Sequence, residues 1–120
     1  MAGKLTTHVL DTAQGCPAAN MMLELWAVNS QSGQKTLLKT MCTNIDGRTD
    51  SPLLADGNLK VGIYELVFAV GDYFVQHSVN STTPPFLDRV PIQFGIADPT
   101  IHYHVPLLTS PWAYSTYRGS

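Results

Sequence analysis

The chain has 120 residues, with 7 Lys and Arg against 9 Asp and Glu and a formal net charge of -2, a length that suits one domain spanning 1–120 with a core of its own. A content of 44% hydrophobic and 13% charged residues excludes a disordered tail, a coiled coil and a collagen-like rod. Basic residues are not gathered anywhere and no apolar run reaches the ~18 residues of a membrane span, so neither a nucleic-acid nor a membrane partner is expected.

Eight Pro and nine Gly, spread along the chain, separate short apolar runs, as in an all-β domain. The first strand is expected over 5–10, where Leu5, Thr7 and Val9 alternate with Thr6, His8 and Leu10. The second is expected over 21–28, where Met21, Leu23, Leu25 and Ala27 alternate with Met22, Glu24, Trp26 and Val28. Further strands are expected at 35–43, 51–54, 62–70, 90–96, 100–108 and 113–117. Seven or eight strands suggest a sandwich. One short helix is expected from Asp72, as N-cap after Gly71, to about residue 79, ended by the Ser/Thr/Pro-rich loop 80–85. Cys16 and Cys42 form no CxxC pair and read as two buried free thiols, which leans toward a reducing compartment. The start of the chain carries no leader signal. The expectation is a cytoplasmic protein, with a periplasmic one open where a leader has been removed.

The most informative segment is Ile101-His102-Tyr103-His104-Val105-Pro106-Leu107-Leu108. Period two puts Ile101, Tyr103, Val105 and Leu107 on one face, and His102, His104, Pro106 and Leu108 on the other, with the imidazoles about 6–7 Å apart. His8 and Leu10 lie opposite the core residues of their own strand, so neighbouring strands would gather three histidines on one surface. Histidine titrates near neutrality and serves as general base or acid; an HxH pair on a strand also suits two zinc ligands. Arg48 follows the Asp46-Gly47 turn, where a guanidinium at a loop rim can hold a carbonyl or anionic edge of a planar substrate. The chain contains no GxSxG, phosphate-loop, GxGxxG or HExxH motif. Pro106 within a strand requires an edge, a bulge or an unpaired donor position.

The Leu5-Thr6-Thr7-His8-Val9-Leu10-Asp11-Thr12-Ala13 segment, the His102-Tyr103-His104-Val105-Pro106-Leu107-Leu108 segment and the terminal Tyr117-Arg118-Gly119-Ser120 together resemble the enzymatic branch of the transthyretin-like family, the 5-hydroxyisourate hydrolases. The resemblance runs from Lys4 to Ser120. It implies an eight-stranded transthyretin-like β-sandwich with one short helix, assembled as a homotetramer (a dimer of dimers) with sites in the clefts between dimers. It further implies hydrolysis of 5-hydroxyisourate in urate degradation by opening a cyclic amide, with no cofactor and no metal. His8, Arg48 and His104 are the implied catalytic set, with Tyr117, Arg118, Gly119 and Ser120 contacting substrate together with His8 and Arg48, and His102 in a supporting place. The alternative is a carrier of a small aromatic or purine-like ligand, and zinc held by the histidines is a third reading.

Overall fold

In chain order the strand segments are β1 (Leu5–Thr6), β2 (Val9–Asp11), β3 (Cys16–Pro17), β4 (Met22–Val28), β5 (Lys35–Cys42) and β6 (Gly62–Phe68), then helix α1 (Val70–Gln76), then β7 (Val90–Ile96), β8 (Tyr103–His104), β9 (Leu107–Thr109) and β10 (Tyr114–Thr116). This computed structural model describes residues 2–77 and 82–119. One layer is the antiparallel sheet β5-β4-β6-β7. Its inner face carries Leu23 and Leu25 from β4, Leu66 and Phe68 from β6, and Val90 and Ile96 from β7, all buried.

The second layer is built around a parallel pair with a single register. Leu5 faces Tyr103 and Thr6 faces His104 in β1 and β8, while Val9 faces Leu107 and Asp11 faces Thr109 in β2 and β9. Between those segments the ladder continues, because the N–H groups of Tyr103, Val105 and Leu107 donate to the carbonyls of Lys4, Thr6 and His8. The described residues thus form ten strand segments rather than the expected eight strands, because 5–11 and 103–109 are each interrupted. β3 pairs with β2 on one side and β10 with β9 on the other.

On the other side of 103–109, the strand's pairing with the C-terminal segment is interrupted at Pro106, which has no N–H to give. β10 stops at Thr116, whose hydroxyl donates to the Pro106 carbonyl, and the antiparallel alignment resumes only where the Gly119 N–H donates to the His104 carbonyl at 2.8 Å.

Period two holds along both central strands. Leu5, Thr7, Val9 and Asp11 are buried, as are Tyr103, Val105 and Leu107, while Thr6, His8, Leu10, His104 and Leu108 are half-buried on the other face. Ile101 departs from the expected inward row: it lies in the bend before β8 and is exposed. Pro106 departs from the outward row and is buried, its carbonyl accepting from the Thr116 hydroxyl.

Other expectations need correction. The 51–54 run makes no strand and contributes one bridge, Leu54 to Leu5, whereas the two-residue β3 had no alternation to announce it. α1 begins two residues before Asp72, because the last ladder bond, Ala69 N–H to the Met22 carbonyl, turns the chain straight into the helix with no side-chain cap. Asp72 is instead the acidic residue of the first turn, and the expected end at 78–79 lies outside the described residues. Asp11 holds the helix against β2: its carboxylate accepts from the Tyr73 hydroxyl at 2.8 Å and from the N–H groups of Ala13 and Gln14. Burial and that carboxylate push the Tyr73 pKa up, so the phenol stays a neutral donor. Both cysteines are exposed rather than buried, since β3 and β5 are edge strands. Among the described residues no helix is long and apolar enough to cross a membrane.

Candidate active site

The parallel register places Thr6 beside His104, and the outward face of these two strands becomes the floor of a cleft of about 400 Å³. His102 and His104 line it with Thr6 and Thr7, and Arg48, Thr49, Asp50, Ser51 and Pro52 form its opposite wall.

That wall is a turn built by Asn44. The Asn44 side-chain oxygen accepts from the N–H groups of Asp46 and Arg48 at 2.9 and 3.1 Å, its amide donates to Asp50 at 3.0 Å, and its backbone N–H donates to the Arg48 carbonyl at 2.7 Å. Gly47 turns the chain in the left-handed region with φ of 76°. A side chain there would run into the Val9 carbonyl, so only glycine lets the loop dock on β2. The docked loop is fastened by the Val9 N–H donating to the Gly47 carbonyl at 2.8 Å.

His8 is the neighbour of Val9 and stands beside the cleft rather than in its lining. Its Nε2–H donates to the Asp46 carbonyl at 2.9 Å. A carbonyl can only accept, so the proton on Nε2 is fixed and a neutral His8 presents a bare Nδ1.

His104 is half-buried, with its Nδ1 2.8 Å from Thr6 Oγ1. The same hydroxyl lies 2.8 Å from His102 Nε2. The two rings are 6.5 Å apart between centroids and nearly perpendicular, so the Thr6 hydroxyl bridges them. Burial first, and then the positive charges of Arg48, His102 and His8, hold His104 below the ordinary imidazole value of 6.5. His104 is therefore a neutral base at neutral pH.

A proton titration of the His104 ring by NMR is expected to give a midpoint below 6.5, and a midpoint at or above 6.5 would contradict this environment. The unfolded chain takes up its proton first as the pH falls, so the His104 contribution to stability is complete above 6.5 and is lost as the pH falls through the depressed folded value.

The terminal tetrapeptide divides. Gly119 lies against His104, and a Cβ there would sit 2.6 Å from His104 Cδ2, so the glycine is required by the imidazole it covers. Tyr117 and Arg118 line a separate groove with Ile92 and Phe94 of β7 and with Tyr103, where the Arg118 guanidinium carbon lies 4.7 Å from the centre of the Tyr103 ring. Ser120 lies outside the described residues. Among the described residues no three His, Cys, Asp or Glu side chains converge to hold a metal; His102 and His104 both turn a nitrogen onto Thr6.

Sequence reasoning brought His8, His102, His104 and Arg48 to one place but passed over Thr6 and Asn44. Thr6 carried a signal, because it shares the outward face of its strand with His8.

Residues 5–119 match the family described as HIUase/Transthyretin. The chain belongs to that family. It is 51% identical over 120 residues to the 5-hydroxyisourate hydrolase of Halalkalibacterium halodurans, covering all of both chains. Among solved structures, the 5-hydroxyisourate hydrolase of Klebsiella pneumoniae superposes with a TM-score of 0.77 at 33% identity over 98% of this chain and 99% of that one. A crystal structure of (S)-allantoin synthase superposes with a TM-score of 0.92 at 46% identity over 99% of this chain. This chain spans 44% of that protein's length, so the likeness concerns one part of a longer chain.

Proposed function

We propose that this member of the HIUase/Transthyretin family hydrolyses 5-hydroxyisourate to 2-oxo-4-hydroxy-4-carboxy-5-ureidoimidazoline, opening a cyclic amide C–N bond in urate degradation, with residues 1–120 acting as one domain. The observation that carries the reading is the half-buried His104, held below the ordinary imidazole value by burial and nearby charge, in a cleft with Arg48 on the facing wall. Relatives named for this activity match along the whole chain.

In the proposed mechanism His104, with Nδ1 engaged by Thr6, uses Nε2 to take a proton from the attacking water. The Arg48 guanidinium stabilises the charge that gathers on the attacked carbonyl oxygen. His8 stands beside the cleft, and with its Nε2–H held by the Asp46 carbonyl its Nδ1 is the nitrogen left to accept a proton. Gly119 packs against the His104 ring, while Tyr117 and Arg118 lie outside the cleft of the isolated chain. Half-buried Leu10 and Leu108, paired in register on the face that carries His8, support assembly as a homotetramer through that face. The exposed, unpaired thiols of Cys16 and Cys42 suit a reducing cytoplasm.

The test is to generate 5-hydroxyisourate in situ from urate with urate oxidase and to follow its ultraviolet absorbance with and without the protein, because the substrate also decays spontaneously. Faster decay with the protein is expected. Decay that matches the blank, with folded protein verified, would replace the hydrolase by a carrier of purine-like ligands.

A further inference from the structure

The geometry points to Thr6 as a proton relay between His104 and His102, an inference that rests on the hydrolase reading and deepens it. Its hydroxyl lies 2.8 Å from His104 Nδ1 and 2.8 Å from His102 Nε2. A hydroxyl carries one proton, so between two neutral imidazoles it donates to one ring and accepts from the other. The two rings therefore hold complementary protonation at those atoms, and moving the hydroxyl proton from one partner to the other switches both.

In the starting state His104 Nδ1–H donates to Thr6 Oγ1, whose own proton is donated to His102 Nε2, and His104 Nε2 is bare. The water oxygen forms a bond to the carbonyl carbon and loses a proton to His104 Nε2. The His104 Nδ1 proton then passes to Thr6 Oγ1 as the Thr6 proton passes to His102 Nε2. The positive charge now rests on His102, and His104 is neutral with its proton on Nε2. When the C–N bond breaks, its electron pair leaves with nitrogen, which takes that Nε2 proton, and the relay runs backward to restore the first state. The sum is addition of water across the C–N bond.

The arrangement solves an electrostatic problem set by the cleft. An imidazolium at His104 is half-buried and faces Arg48 across the cleft, with His8 alongside, whereas His102 is exposed to solvent. Carrying the charge from His104 to His102 moves it toward water, where it is least costly.

Thr6→Val removes the hydroxyl while keeping a β-branched shape suited to the strand; Thr6→Ser restores the hydroxyl. His102→Phe removes the far end of the relay at an exposed position, which protects the test against a folding failure at residue 6. Thr6→Val is expected to lower kcat by about 10- to 100-fold with KM within about twofold, the range for losing one hydrogen bond to a charged group. Thr6→Ser is expected to keep kcat within about threefold of the wild type, His102→Phe to match the loss in Thr6→Val, and the double variant to lose no more than either alone, as residues acting as a unit do. A wild-type kcat in folded Thr6→Val overturns the relay. So does a loss in Thr6→Val without a loss in His102→Phe, which would leave Thr6 only orienting His104. Nitrogen-15 NMR of the imidazoles reads the bridge apart from turnover: one of His104 Nδ1 and His102 Nε2 protonated and the other bare supports it, and two bare nitrogens overturn it. A wild type that does not outpace the blank refutes the hydrolase reading itself, and the NMR result still decides the bridge.

Discussion

His104→Ala is expected to cut turnover of 5-hydroxyisourate by about 10²- to 10⁴-fold, the range for removing a positioned general base, while leaving the fold intact. The expectation follows from where the side chain sits. Its backbone belongs to β8, and the bonds that hold it there, including the Gly119 N–H to the His104 carbonyl, survive truncation at Cβ. Its ring contributes little to the core, which lies on the other face around Tyr103 and Val105. The loss should appear in kcat, because an imidazole that takes a proton in the transition state contributes less to ground-state binding. The measurement is the absorbance decay of enzymatically generated substrate, with thermal unfolding of the variant alongside. A variant that unfolds normally and turns over at the wild-type rate would remove His104 from the site.

How much of this was legible in the sequence depends on what kind of physics set each feature. Alternation placed Leu5, Thr7 and Val9 inside and His8 outside without reference to any partner, since a strand with one face on the core must repeat every second residue. The same rule put His102 and His104 on one face, although it failed at Ile101, which the bend before β8 exposes, and at Pro106, which is buried. Features set by partners distant in sequence were not legible. The start of α1 is fixed by a ladder bond from Ala69 to Met22, so the good capping residue Asp72 misled. The exposure of Cys16 and Cys42 depends on which strands end at sheet edges, and that is decided only when the layers form. Thr6 reads as an ordinary β-branched strand residue until the register with 103–109 sets it between two imidazoles. Arg48 was visible through the Asp46-Gly47 turn, whereas the docking of that turn onto Val9 was not.

The loop docked on Val9 is also why Arg48→Ala should be informative. Turnover is expected to fall by about 10²- to 10³-fold, as for the loss of one group stabilising an oxyanion. The loop should keep its shape, because Asn44 and Gly47 hold Arg48 through backbone atoms: the Arg48 N–H to the Asn44 side chain at 3.1 Å and the Arg48 carbonyl from the Asn44 N–H at 2.7 Å. A second effect has the opposite character. Arg48 is the leading charge that holds His104 below 6.5, so its removal should raise the His104 titration midpoint and move the acid limb of the residual activity upward in pH. Arg48→Lys separates the two roles. It keeps the positive charge, and with it a depressed His104 midpoint, but loses the planar fork that engages an oxygen through two N–H groups. Its rate should therefore stay well below wild type while its acid limb remains near the wild-type position. If Arg48→Lys restores the full rate, charge alone suffices at this wall and the fork has no part in the reaction. If Arg48→Ala leaves the His104 midpoint unmoved, the guanidinium does not face that imidazole in solution and the proposed cleft is wrong.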